Sequence, residues 1–277
     1  MIAAFVPAAS AAITLAAQAL AASFAPPLDT PIRVVAEAVR TDSGVTRRFV
    51  SAKRVVFRRD GAGFRAEVTV EPSAPSGSDD DPAAMFIAGM ARLAARTLVF
   101  QLDAQGRVTG MTDQAAAWQA MLDGLAALSP PGEAADRVRA ARARAVVDMF
   151  AQLPPERQRA MLASMLVPLI AADIAAEGAG PPRAVRVPAA SAFGTAQLDG
   201  LRAVRDDRGL LEVSVSATGP VSVKGPAGVA AGTMTLETLR RVDPRTGLLI
   251  SSEEAVRTVL PDGSLASERV TVTRVAR

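Results

Sequence analysis

Asp60-Gly61-Ala62-Gly63-Phe64-Arg65-Ala66-Glu67-Val68-Thr69-Val70-Glu71 is the stretch that decides the fold class. Phe64, Ala66, Val68 and Val70 alternate with Arg65, Glu67, Thr69 and Glu71, the period of a strand with one buried and one wet face. Alternation of this kind belongs to antiparallel sheets; buried parallel strands read as continuous apolar runs. Asp60-Gly61 in front of it reads as a tight hairpin. Asp folds its side chain onto nearby backbone N–H groups, and Gly accepts a positive φ.

Outward from this stretch the same signals recur. Leu98, Phe100 and Leu102 repeat the alternation, as do Leu211, Val213 and Val215 against Glu212, Ser214 and Ser216. The acidic-residue-to-Gly turn occurs five times, at Asp60-Gly61, Asp103 to Gly106, Asp206 to Gly209, Asp243 to Gly247 and Asp262-Gly263. Five hairpins imply about ten strands, near the upper size of an ordinary open sheet, so the sheet is expected to curl or split.

The hairpins fall into two blocks, 31–111 and 183–277, and between them, over 112–180, the period becomes helical. Residues 113–128 read as a helix with Asp113 as its cap and Ala117, Met121, Leu125 and Leu128 on one face. A second helix carries Val138, Ala141, Ala145, Val146 and Met149. A third, about 155–177, starts on Pro154-Pro155, is strongly apolar, and is expected to kink at Pro168. A short helix at about 82–95 interrupts the first block. The expected architecture is α+β: residues 26–277 form one β-rich domain, a curved antiparallel sheet from two hairpin blocks. The central helical insertion covers its concave face.

Composition excludes several chemistries. The 277 residues include no Cys, no His and no Tyr. Thiolate nucleophiles, disulfides, Fe–S clusters, Ser-His-Asp triads and His- or Cys-ligated metals therefore cannot be built. No Gly-rich phosphate loop is present, so neither a cofactor nor a metal is expected. The net charge is only +3, and nearly all basic residues are Arg, with Lys at positions 53 and 224 alone. Aromatic residues are not interleaved with the basic ones in the way that single-stranded nucleic-acid binding would want, and no nucleic-acid partner is expected.

Residues 1–25 are apolar and rich in small residues. Ala19-Leu20-Ala21 fits a signal-peptide cleavage site, and Ser23-Phe24-Ala25 is a second candidate. The reading is a cleaved signal peptide and a periplasmic protein without a stable membrane span; the alternative is an inner-membrane anchor made by the same residues. The pattern departs from a signal peptide in lacking a basic n-region.

Two groups stand out as candidate binding residues. Met161, Met165, Leu166, Leu169 and Ile170 on the third helix suit the wall of an apolar pocket, although such a helix is more often plain core. Arg47, Arg48, Lys53, Arg54 and Arg58 suit an anion site, although charge runs are usually solvated faces. Asp79-Asp80-Asp81 fits a helix cap better than a calcium loop. Ser51-x-Lys53 and Ser222-x-Lys224 place Ser and Lys on one side of a strand, but Ser–Lys catalysis needs a desolvated Lys, which an exposed strand does not provide. Trp118 reads as a packing anchor.

The Phe100-x-Leu102-Asp103-x-x-Gly106-x-Val108 hairpin, the helical middle and the closing Asp243-x-x-Thr246-Gly247-Leu248-Leu249 hairpin together resemble the layout of uncharacterised exported proteins of Gram-negative bacteria. The architecture is more loosely similar to the curved-sheet-plus-helices build of lipoprotein carriers. The resemblance supplies no catalytic residues. The expected role is a non-catalytic binding or carrier module for an apolar or amphiphilic envelope ligand. The alternatives are a structural component of the envelope that contacts another envelope protein, and a carboxylate-dependent hydrolase. The interior of the sheet discriminates among them: empty, filled, or lined by acids.

Overall fold

A computed structural model describes residues 24–276 except 43, 73–90, 95, 128–140, 142–143, 146, 192 and 226–227. Eleven antiparallel strands form one sheet: β1 (Ile32–Asp42), β2 (Val45–Asp60), β3 (Gly63–Val70), β4 (Thr97–Leu102), β5 (Val108–Met111), β6 (Gly180–Ser191), β7 (Gly194–Asp207), β8 (Leu210–Gly225), β9 (Gly228–Asp243), β10 (Leu248–Val259) and β11 (Leu265–Ala276). Their spatial order is β5-β4-β3-β2-β1-β11-β10-β9-β8-β7-β6. Every pair but one joins strands that follow each other in sequence. The exception is β1 with β11, paired from Arg33↔Ala276 to Asp42↔Ser267, which seals the first strand of the chain against the last.

All five turns expected from the acidic-residue-to-Gly pattern connect neighbouring strands. In four of them the carboxylate accepts backbone N–H bonds: Asp103 from Gln105 and Arg107, Asp206 from Gly209, Asp243 from Arg245, and Asp262 from Ser264. Gly106 has a positive φ, and a Cβ there would lie 2.9 Å from the Phe24 ring, so the turn needs glycine both for its backbone and for its packing. Of three further hairpins, β6–β7 and β8–β9 lack the acidic signature, whereas β1–β2 carries it in Asp42 and Gly44, which has a positive φ.

The pleat separates the two faces cleanly. In β3, Phe64, Ala66, Val68 and Val70 are buried, and Arg65, Glu67 and Thr69 are half-exposed. The outer face carries Arg–carboxylate pairs between neighbouring strands, among them Arg48–Glu37 at 2.7 Å, Arg241–Glu212 at 3.3 Å and Arg58 with Asp29 and Glu67. The inner face is apolar at both ends. Its larger core unites β1–β4, the β7–β9 residues Val204, Leu211, Val213 and Val242, and the helices. A smaller core of Ala189, Leu198, Ala217, Met234, Leu236 and Val256 forms where β6 curls back to contact β10 and β11. The sheet rolls but does not close. Its edge strand β6 carries Pro181, Pro182 and Pro188, which cannot donate to an added strand and so protect the open edge.

Between β5 and β6 lie α1 (Gln114–Ala126), α2 (Pro155–Ala163), a 3₁₀ turn (Val167–Leu169) and α3 (Ala172–Glu177), and residues 91–93 between β3 and β4 are also helical. The single kinked helix expected over 155–177 is thus three pieces. Pro168 has no N–H and disfavours a continuing helix; Ile170 then bridges to Leu248, and the Ala171 N–H donates to the Gly247 carbonyl at 2.8 Å. The expected Asp113 cap is also corrected. Asp113 adopts a left-handed conformation and its side chain makes no capping bond. Trp118 is buried edge-on against Phe150. In the second helical stretch, Val147 and Phe150 face the core, while Ala141, Ala145 and Met149 are exposed. The Asp79–Asp81 run, most of the 82–95 helix, Val138, Val146 and Leu128 lie outside the described residues.

Phe24 anchors the segment before β1. It is 2% exposed and packs edge-on against Phe57 and Phe64 at centroid distances of 5.6 and 5.2 Å. The Ala25 N–H reaches the Thr246 carbonyl at 3.2 Å, so this segment binds the β9–β10 turn as well as the β4–β5 turn. Truncating Phe57 to Ala removes the centre of this cluster and is expected to cost about 3–5 kcal/mol in denaturant unfolding. Arg241→Ala on the outer face is expected to cost less than about 1 kcal/mol in the same assay. Equal effects would contradict the assignment of the inner face as the source of stability.

Candidate functional site: a cavity between sheet and helices

The helices do not fill the space over the inner face. A cavity of about 1150 Å³ remains between them and the sheet. Its floor comes from β1, β2, β3, β10 and β11: Val34, Ala36, Ser51, Lys53, Val70, Leu249 and Thr273. Its roof comes from the helical region: Met121, Leu125, Phe150, Leu153, Met161, Met165 and Leu169.

The floor explains why the described side chains leave this space open. Ala36 pairs with Ser51 and Thr273, so this row of the groove presents short side chains across three neighbouring strands, beside the row of Val34, Lys53 and Val275. Small side chains cannot reach the roof. The roof, rich in Met and Leu, has rotamer freedom but too little volume to collapse onto the floor. Deep binding sites for small molecules typically measure about 300–1,000 Å³ and are mostly apolar with a few placed polar groups. This cavity matches that description at the large end.

The sequence-derived candidates divide in the structure. Met161, Met165 and Leu169 line the cavity. Leu166, fully buried, belongs to the core beneath it, and Ile170 packs against the same core; neither is part of the lining. Of the basic group only Lys53 lines the cavity. Arg48 and Arg58 occupy the opposite pleat and pair with outer-face carboxylates, and Arg54 is exposed on that same pleat. Arg47 shares the inner pleat with Lys53 but sits further along β2, opposite Arg40. The basic run is therefore not one anion site. The pleat distributes it over two faces.

Lys53 also overturns the expectation of an exposed strand. It is flanked by Val34 and Val70 on the neighbouring strands. Burial, with no described carboxylate beside it, pushes its pKa down from 10.5 to about 8. Ser51 stands on the same face two residues away, but no hydrogen bond links the two side chains, so no Ser–Lys dyad is assembled. For Ser222-x-Lys224, the Lys224 side chain lies outside the described residues. Among the described residues the only other charged group in the lining is Arg157, exposed on α2. No described carboxylate lines the cavity, and no cluster of metal-ligating side chains occurs among the described residues.

Among the described residues, the carboxylates whose pKa departs from the ordinary range all move down. Arg48 holds Glu37 low, Arg33 holds Glu71, Arg202 holds Glu177, and Ser264 holds Asp262. A hydrolase built on acids needs one carboxyl raised, and these arrangements do the opposite.

Several lining residues carried no signal in the sequence. Val34, Ala36, Val70 and Thr273 are ordinary strand residues, and they become neighbours only through the β1–β11 pairing and the curl of the sheet. Met121 and Leu125 were legible as a helix face, but not as a cavity wall. Comparison with protein-family models and with curated proteins returns no match.

Lys53 titration is directly testable, because the chain has only two lysines. Nitrogen NMR of lysine-labelled protein should show one Nζ signal titrating near pH 8, absent from Lys53→Met. The folded-state pKa lies below the unfolded value, so the unfolded chain binds more protons between about pH 8 and 10.5. Stability is therefore expected to rise with pH across that window in the native chain and to stay flat there in Lys53→Met. At pH 7, where the burial cost is carried in full, the substitution should stabilise the fold by up to about 3 kcal/mol. A titration midpoint at the ordinary lysine value would place Lys53 in water instead.

Proposed function

We propose that the sheet, built from two hairpin blocks and covered by the helical insertion, is a carrier or binding module for an apolar or amphiphilic ligand of the bacterial envelope. The supporting observation is the cavity itself, large and walled mainly by aliphatic and Met side chains over a floor of small residues. A globular core is ordinarily packed to crystal-like density with few voids larger than a water molecule. A partly open pocket of this volume leaves apolar surface against water, and holding a ligand is the simplest role that covers it. The reading of a purely structural or protein-interaction component requires a filled interior, which this cavity disfavours.

Protein recovered from the periplasm without detergent is expected to carry a bound mass in the lipid range by native mass spectrometry. Ala36→Phe, which fills the floor between Ser51 and Thr273, should release that mass while leaving the circular dichroism spectrum unchanged. A clean apo mass in the native protein would point to the interaction reading instead.

We also propose export through a signal peptide that ends before Phe24. Cleavage after Ala25 would remove Phe24 from the core, whereas cleavage after Ala21 keeps it. The mature chain is expected to begin at Ala22, as read by intact mass. A mature chain starting at Pro26 would contradict the assignment of Phe24 to the folded protein. Among the described residues no helix is long and apolar enough to cross a membrane.

A further inference from the structure

The lining of the cavity is unbalanced in charge. It contains two cations, Lys53 in the floor and Arg157 on the roof, and no described anion. Arg157 is exposed on α2 and is solvated by water. Lys53 lies between Val34 and Val70, and no described carboxylate pairs with it. Two other inner-face cations meet carboxylates, Arg269 with Glu254 at 2.9 Å and Arg202 with Glu177, and Arg59 and Arg240 on the same pleat are exposed. A largely desolvated ammonium with no described counter-ion is costly, and an incoming group of opposite charge would offset that cost.

We infer that Lys53 is the headgroup site of this cavity, and that the ligand is an amphiphile with a hydrocarbon chain and an anionic headgroup, a long-chain carboxylate. This assignment rests on the carrier reading and narrows it. The ligand carboxylate accepts from the Lys53 ammonium, with the Ser51 hydroxyl two residues along the same face as a second donor. The hydrocarbon tail lies against Met165, Leu169 and Phe150. A cationic amphiphile is disfavoured at the same position, because it would place like charges together in an apolar space.

The sole tryptophan supplies the readout. Trp118 packs on Phe150 with ring centroids 6.3 Å apart, and Phe150 lines the cavity, so occupancy of the cavity should change Trp118 emission. Dodecanoate, dodecanol and dodecylamine are titrated at pH 7 into delipidated native chain, Lys53→Met and Arg157→Gln. Dodecanoate is expected to bind about tenfold tighter than dodecanol to the native chain, the size of one charge-assisted hydrogen bond, with dodecylamine weakest. In Lys53→Met that preference should vanish while dodecanol binds at least as well; in Arg157→Gln it should persist. Met matches the length of Lys and removes a buried charge, so this variant is expected to fold, as a thermal melt will show. Equal binding of acid and alcohol by the native chain overturns the headgroup assignment and leaves the cavity reading standing. A preference that survives Lys53→Met but disappears in Arg157→Gln also overturns it, because the headgroup then sits at the mouth. No emission change and no heat with any of the three probes overturns the carrier reading together with it.

Discussion

A sheet that rolls without closing has an inner face that must be covered by something other than itself. That constraint governs most of this structure. At one end, β6 turns back over β10 and β11 and the sheet supplies its own cover, so six buried side chains suffice for a core. At the other end the groove is wider, and the helices between β5 and β6 cover it. Strand-on-strand contact follows the pleat and packs closely. Short helices resting on a curved floor do not, and the cavity is the misfit between the two.

The β1–β11 pairing determines where the misfit falls. It brings Val34 and Ala36 of the first strand beside Thr273 of the last, and with Ser51 on β2 it makes a floor of small residues along the centre of the sheet. The roof above depends on a second break in regularity. The chain leaves helix at Pro168 and hands its backbone hydrogen bonds to the β9–β10 turn, which fixes Met165 and Leu169 over the floor. The same turn receives the Ala25 N–H, so the first described residues and the helical cover are held by one loop.

Charge follows the pleat rather than the sequence. On the outer face, arginines meet carboxylates across neighbouring strands and remain solvated, contributing little individually. On the inner face, Arg202 and Arg269 meet carboxylates, while Arg59 and Arg240 stay exposed to solvent. Lys53 departs from that rule. A chain that can use apolar residues at flanking positions, as at Val34 and Val70, has kept an ammonium between them, where its charge can act on whatever occupies the space.

The sequence by itself determined the antiparallel sheet, its inner and outer faces and five of its turns. Alternation in β3 and an Asp followed by Gly are local properties, controlled by backbone geometry and by which side of a pleat each residue occupies. It also fixed the chemistry that is impossible without His and Cys, and it marked Met161, Met165, Leu169 and Lys53 individually as binding candidates. Only the tertiary structure decided that these four share one space, while Leu166, Ile170, Arg48 and Arg58 lie elsewhere. The reason is physical. Whether an apolar residue faces a neighbour or a void, and whether a lysine is solvated or buried, depends on strands brought together from opposite ends of the chain, and no local spacing encodes that distance.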